Sequence, residues 1–122
     1  MSEVRAIDVR ATLEVADLAA ALAFWTEVAG FEVVTTMGDP ATFALVASGD
    51  AELALVEVEA PAIPLGAACY VTIEGFDAFV AATTAAGHPP EGEPQTWPWG
   101  LRDVVVRCPG GGPRIAFGER VD

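Results

Sequence analysis

The chain has 122 residues, 52% of them hydrophobic, and carries 18 acidic against 6 basic side chains for a net charge of −12. A mean hydropathy of +0.41 excludes a disordered chain and implies one domain with a real core. No apolar run approaches the ~20 residues that a membrane-spanning helix needs, and a negative field of this size disfavours nucleic acid and anionic membranes while favouring a cationic ligand.

Ile7 to Val15 reads as a first strand, with Val9, Ala11, Leu13 and Val15 on one face. Asp17 is placed to cap the helix that follows, because its carboxylate can accept the free first-turn N–H groups. Leu18, Ala21, Leu22, Trp25, Val28 and Ala29 then recur at helical spacing and form one apolar stripe. Phe24 lies off that stripe and is expected at a subunit contact. Gly30 stops the helix. Strands are expected at Phe31 to Met37, Thr42 to Ala47 and Glu52 to Val58, separated by Gly38-Asp39-Pro40 and Ser48-Gly49-Asp50 turns.

A Pro-stiffened linker, Glu59 to Gly66, leads to a second unit of the same plan. Its strand runs from Ala67 to Ile73 and its helix from about Phe76 to Ala86. Further strands lie at Gln95 to Trp97, Leu101 to Arg107 and Arg114 to Gly118, the last two joined by "CPGGGP". Aligning Val15 with Ile73 places the repeats about half a chain apart. The expected domain is therefore a single unit, residues 1–122, of class α+β. It holds two βαβββ repeats (5–58 and 67–119) joined by the linker 59–66, each forming a curved mixed sheet.

Three stretches carry a family likeness. "LAFWTEVAGFEV", "VTIEGFDAF" and "EPQTWPWGLRDVVVRCPGG", set in paired βαβββ units, resemble the bleomycin resistance proteins of the vicinal oxygen chelate superfamily, which also holds glyoxalase I and extradiol dioxygenases. Cys108-Pro109-Gly110-Gly111-Gly112 departs from the Asp-Pro-x-Gly turn usual in that family and is one residue longer. The resemblance implies a homodimer in which two chains build each of two equivalent clefts.

The superfamily's enzymes hold a divalent metal on four strands, typically with His, Glu, His and Glu. The matching positions here are Arg10, Ala54, Ala68 and Ala116. A guanidinium keeps its proton and a methyl group has no donor atom, so no metal and no other cofactor is expected. Slipping the register by a residue or two recruits only Glu14, Glu52 or Glu57, without an imidazole. The chain's one histidine, His88, sits in a Gly-His-Pro-Pro turn and reads as inert. Cys69 and Cys108, the only cysteines, read as reduced thiols in strands. Cys108 neighbours Arg107, but adjacent strand residues point to opposite faces, so Cys108 has no activating partner. No catalytic residue is assigned.

The aromatic residues divide by position. Trp25 belongs to the core stripe. Trp97 and Trp99 stand two apart in a segment bracketed by Pro94, Pro98 and Gly100, so their indoles can project together. The resemblance adds Tyr70 and Phe43 as further rings of a ligand cleft. Glu57 and Asp103 are the favoured counter-charges, with Glu52, Glu91 and Glu93 as others. The expected function is cytoplasmic, non-catalytic sequestration of an aromatic, cationic antibiotic of the bleomycin type. The alternative is a metal-independent lyase or isomerase of the same fold that uses groups such as Glu57 and Arg10 on a natural product or small metabolite. A third reading is an orphan member or regulator that binds a metabolite.

Overall fold

The computed structural model describes residues 3–122. The first repeat runs β1 (Ala11–Val15), α1 (Leu18–Ala23), a π-helical turn (Phe24–Val28), β2 (Glu32–Gly38), β3 (Ala41–Ser48) and β4 (Ala51–Glu57). The second runs β5 (Tyr70–Thr72), α2 (Phe76–Ala85), β6 (Gln95–Trp97), β7 (Leu101–Arg107) and β8 (Arg114–Arg120). Each repeat closes a four-stranded mixed sheet, in the orders β1-β4-β3-β2 and β5-β8-β7-β6. In both, the first strand pairs parallel with the last and the other pairs are antiparallel. The two expected βαβββ repeats are present.

The sheets share one core. Leu13, Val15, Val46, Leu53 and Leu55 of the first sheet and Val71, Val104, Val106, Ile115 and Phe117 of the second are buried. They pack with Leu18, Trp25, Phe76 and Phe79 from the helical segments. Because strand side chains alternate, this leaves a second face on each sheet that the helices do not cover.

The start of α1 is tied down by a side-chain cap and by the second repeat. Asp17 Oδ1 accepts from Ala20 N at 3.1 Å, as expected of a cap worth about 1 kcal/mol. The backbone carbonyl of Gly110 accepts from Ala16 N at 2.8 Å and Asp17 N at 3.0 Å. The Gly-rich turn of the second repeat is thus stapled to the helix of the first. Gly110 has φ +81, and a Cβ there would lie 2.5 Å from Asp17 O, so a side chain cannot enter this contact.

Several expectations need correction. The paired part of the first strand starts at Ala11, opposite Leu53, and Val9 is 89% exposed instead of sharing the core face with Leu13 and Val15. The fifth strand shortens to Tyr70–Thr72 and the eighth lengthens to Arg120. Phe24 is buried inside the chain, 5.6 Å from Trp25 and 6.2 Å from Phe117 in edge-on contacts. The π-helical turn, marked by Ala29 N donating to Phe24 O, accommodates an extra residue, so neighbouring Phe24 and Trp25 both reach the core. His88, in its turn, packs edge-on against Phe24 at 6.4 Å.

Candidate functional site

The uncovered face of the second sheet gathers four of the six expected ligand-binding residues. Register places Tyr70 beside Ala116, Asp103 beside Gly118 and Gln95, and Trp97 beside Leu101. Their neighbours Val104, Val106, Ile115 and Phe117 point into the core. Alternation therefore sends Asp103, Ala116 and Gly118 to the uncovered side.

Tyr70, on β5, reaches across β8 to β7, where its hydroxyl donates to Asp103 Oδ2 at 3.0 Å. From β6 on the other side, Trp97 Nε1 donates to Asp103 Oδ1 and Oδ2, at 3.1 Å each. Trp99, in the turn after β6, lies against Trp97 with the ring planes 8° apart and the centroids 5.0 Å apart. Trp99 is 67% and Trp97 37% exposed, so the stack is a pre-formed aromatic wall that solvent reaches. Removal of water from its hydroxyl pushes the Tyr70 phenol up to about 12, and the adjacent Asp103 carboxylate adds to the shift. At neutral pH the phenol acts as a hydrogen-bond donor.

The other two expected residues lie elsewhere. Phe43 sits on the first sheet, opposite Met37 and Val56, half-buried. Glu57 follows Leu53 and Leu55 on the helix-facing side of β4, where its Oε2 accepts from Leu18 N at 2.9 Å. That carboxylate satisfies a free first-turn N–H of α1 instead of facing the aromatic wall. Of the further counter-charges, Glu52 pairs with Arg10, Glu91 Oε1 with Arg114 Nε at 2.6 Å, and Glu93 is exposed.

At the positions that match metal ligands, Arg10 is held by Glu52 on the neighbouring strand. Ala54 lies beside Thr12 and Ala116 beside Tyr70, and Ala68 donates its N–H to Arg114 O. Among the described residues, no three His, Cys, Asp or Glu side chains come together as a metal would require. The donor set does not fit a divalent ion. Burial raises the Cys69 thiol and pushes Cys108 up to about 11, against a small opposing effect of the Trp25 indole. Both cysteines are free and protonated at neutral pH, the wrong state for a nucleophile.

Clefts open between the repeats. One of about 740 Å³ lies between Gly30–Phe31 and Ile73–Gly75, one of about 340 Å³ between Val28–Gly30 and Ala78–Ala82, and one of about 260 Å³ is lined by Val9, Glu52, Cys69 and Tyr70 among others. None of these includes Trp97 or Trp99. Sequence reasoning missed one residue of the uncovered face, Gly118, although an isolated glycine inside a strand is itself a sign of close approach.

The model of the Glyoxalase/Bleomycin resistance protein/Dioxygenase superfamily matches residues 9–116. No curated protein sequence matches the chain. Among solved structures, the chain is similar to lactoylglutathione lyase from Agrobacterium tumefaciens, at 23% identity over 94% of each chain with a TM-score of 0.72. It is also similar to TnmS3, an antibiotic binding protein from Streptomyces sp. CB03234, at 22% identity over 98% of this chain and 99% of that one, with a TM-score of 0.72. TioX from Micromonospora sp. ML1 is 21% identical over 95% of this chain and 100% of its own, with a TM-score of 0.74. An enzyme and a binding protein thus share this fold, and the match along the sequence supplies the family: the chain belongs to the Glyoxalase/Bleomycin resistance protein/Dioxygenase superfamily.

Proposed function

We propose that the protein is a non-catalytic binder that sequesters a flat, cationic, aromatic antibiotic of the bleomycin type in the cytoplasm, protecting the drug's target stoichiometrically. The observation that carries this reading is the parallel Trp97–Trp99 pair beside the Asp103 carboxylate. A flat cation gains from indole faces twice over, by stacking and by attraction to the ring quadrupole. Each such contact is worth roughly 0.5–2 kcal/mol. The net charge of −12 steers cations toward the protein. An antibiotic-binding neighbour of the same fold is consistent with this use.

In a single chain the indole stack faces solvent, and Phe43 belongs to the other sheet. A two-fold homodimer that lays the first sheet of one copy over the second sheet of its partner brings Phe43 opposite the stack and encloses two equivalent sites. Tryptophan emission during titration with bleomycin and a panel of flat cationic aromatic compounds tests the reading. Saturable quenching by at least one member is expected, with sedimentation at micromolar concentration showing a dimer. Unchanged emission across the panel rejects sequestration, and a monomer rejects the shared cleft.

A further inference from the structure

Gly118 occupies the crossing point of the site. It lies on β8, between Tyr70 on β5 and Asp103 on β7. A Cβ built there would stand 1.9 Å from the Tyr70 hydroxyl oxygen, 2.7 Å from Tyr70 Cζ and 3.0 Å from Asp103 Cβ. Its backbone does not have positive φ, so alanine suits the chain conformation. Only the space above residue 118 forbids a side chain. The tyrosine ring lies in that space, and through it the phenol reaches the carboxylate that also holds Trp97.

Among the described residues, Asp103 is held by neutral donors alone. Its hydrogen bonds come from a phenol and an indole, and neither supplies a positive charge. The ion pairs among the described residues use Arg10, Arg102 and Arg114 with other acids. Arg102, next to Asp103 in sequence, points to the other face and pairs with Glu119 and Asp77. The carboxylate is fixed in direction and not neutralised.

We propose that Gly118 is a positioning residue for the aromatic wall: its missing side chain lets Tyr70 cross β8 and lock Asp103 beneath Trp97, leaving an uncompensated carboxylate beside the indole stack for the N–H edge of a flat organic cation. The proposal rests on the sequestration reading for its ligand and stands independently for its geometry. Tyr70 and Trp97 take part of the acceptor capacity of Asp103, which offers about four lone-pair sites in all. A charge-assisted bond from a ligand N–H can use the remainder.

The test begins without ligand. Tyr70 is the chain's one tyrosine, so phenolate absorbance during a pH titration reports this hydroxyl alone. Wild type is expected to ionise at about 12, and Gly118→Ala to fall back toward the ordinary 10.0. Asp103→Asn removes the neighbouring charge and is expected to lower the value in part. Ordinary ionisation in wild type, or no shift in Gly118→Ala, overturns the proposal. If Gly118→Ala does not fold, Asp103→Asn and Tyr70→Phe decide the matter through the circular-dichroism couplet of the stacked indoles. Weakening in both is expected, and an unaltered couplet in both overturns the proposal.

Bleomycin affinity forms the second arm. Gly118→Ala and Tyr70→Phe are each expected to weaken binding about 5- to 30-fold, and the double variant no further, because both break the same link. Additive losses overturn the proposal. If bleomycin fails to bind wild type while the tyrosine titration behaves as expected, the positioning role holds and the choice of ligand falls.

Discussion

Trp97 and Trp99 stack with their planes 8° apart and their centroids 5.0 Å apart, yet only Trp97 is anchored, through its Nε1 to Asp103. Trp99 therefore contributes mainly surface. Trp99→Ala is expected to weaken binding of a quenching ligand by about 1–3 kcal/mol, while the melting temperature stays nearly constant because the ring is 67% exposed. Calorimetric titration and thermal unfolding of the same sample check both halves. A large fall in melting temperature with unchanged affinity would make Trp99 a packing residue.

Glu57 is expected to behave in the opposite way. Its carboxylate serves Leu18 N at the start of α1, so Glu57→Ala leaves an N–H unsatisfied and is expected to cost about 1–2 kcal/mol of stability. Ligand affinity should not change. Urea unfolding with a parallel binding titration separates the two roles, and a binding defect at unchanged stability would return Glu57 to the site.

Gly110→Ala tests the staple between the repeats. The new methyl group would meet Asp17 O, and φ +81 is itself costly for alanine. The expected loss is about 2–3 kcal/mol. It should appear as a lower denaturation midpoint, and a midpoint within error of wild type would show that the turn can move away from α1 at little cost.

Stability should decline on the alkaline side. Tyr70 and Cys108 have folded-state values of about 12 and about 11, above the ordinary 10.0 and 9.0. Each group is bound more tightly to its proton in the folded chain, so its contribution is complete below its ordinary value and disappears as pH rises through its folded value. The combined window runs from about pH 9 to about pH 12. Tyr70→Phe is expected to flatten the upper part of the curve and Cys108→Ala the lower part, as read from denaturation midpoints across that range. Parallel curves for all three proteins would contradict both assignments.

The sequence carried much of the architecture in its patterns. The Asp17 cap, the core position of Trp25 and the strands Gln95–Trp97 and Leu101–Arg107 follow from capping chemistry and alternation, which are local. Strand ends are less legible because pairing partners set them: the apolar alternation begins at Ile7, whereas pairing with β4 begins at Ala11. A regular helical period does not foresee the π-helical turn that brings Phe24 into the core. In the site, the indoles do lie together, but the turn after β6 brings Trp99 onto Trp97, not the alternation of an extended strand. Glu57 could not be separated from Asp103 without the register that turns one toward the helix and the other away. Gly118 matters through a ring that arrives from a strand more than forty residues earlier, a relation that no local pattern records.

On the proposed reading, the Trp97–Trp99 stack and Asp103 hold a flat organic cation without transforming it. Calorimetric titration of the wild-type chain with the best quenching ligand, followed by denaturation and mass measurement of the recovered ligand, addresses it most directly. Saturation at one ligand per chain, strong weakening by Asp103→Asn and a ligand of unaltered mass are expected. Absence of binding heat for every compound of the panel, or recovery of a chemically altered ligand, would contradict it.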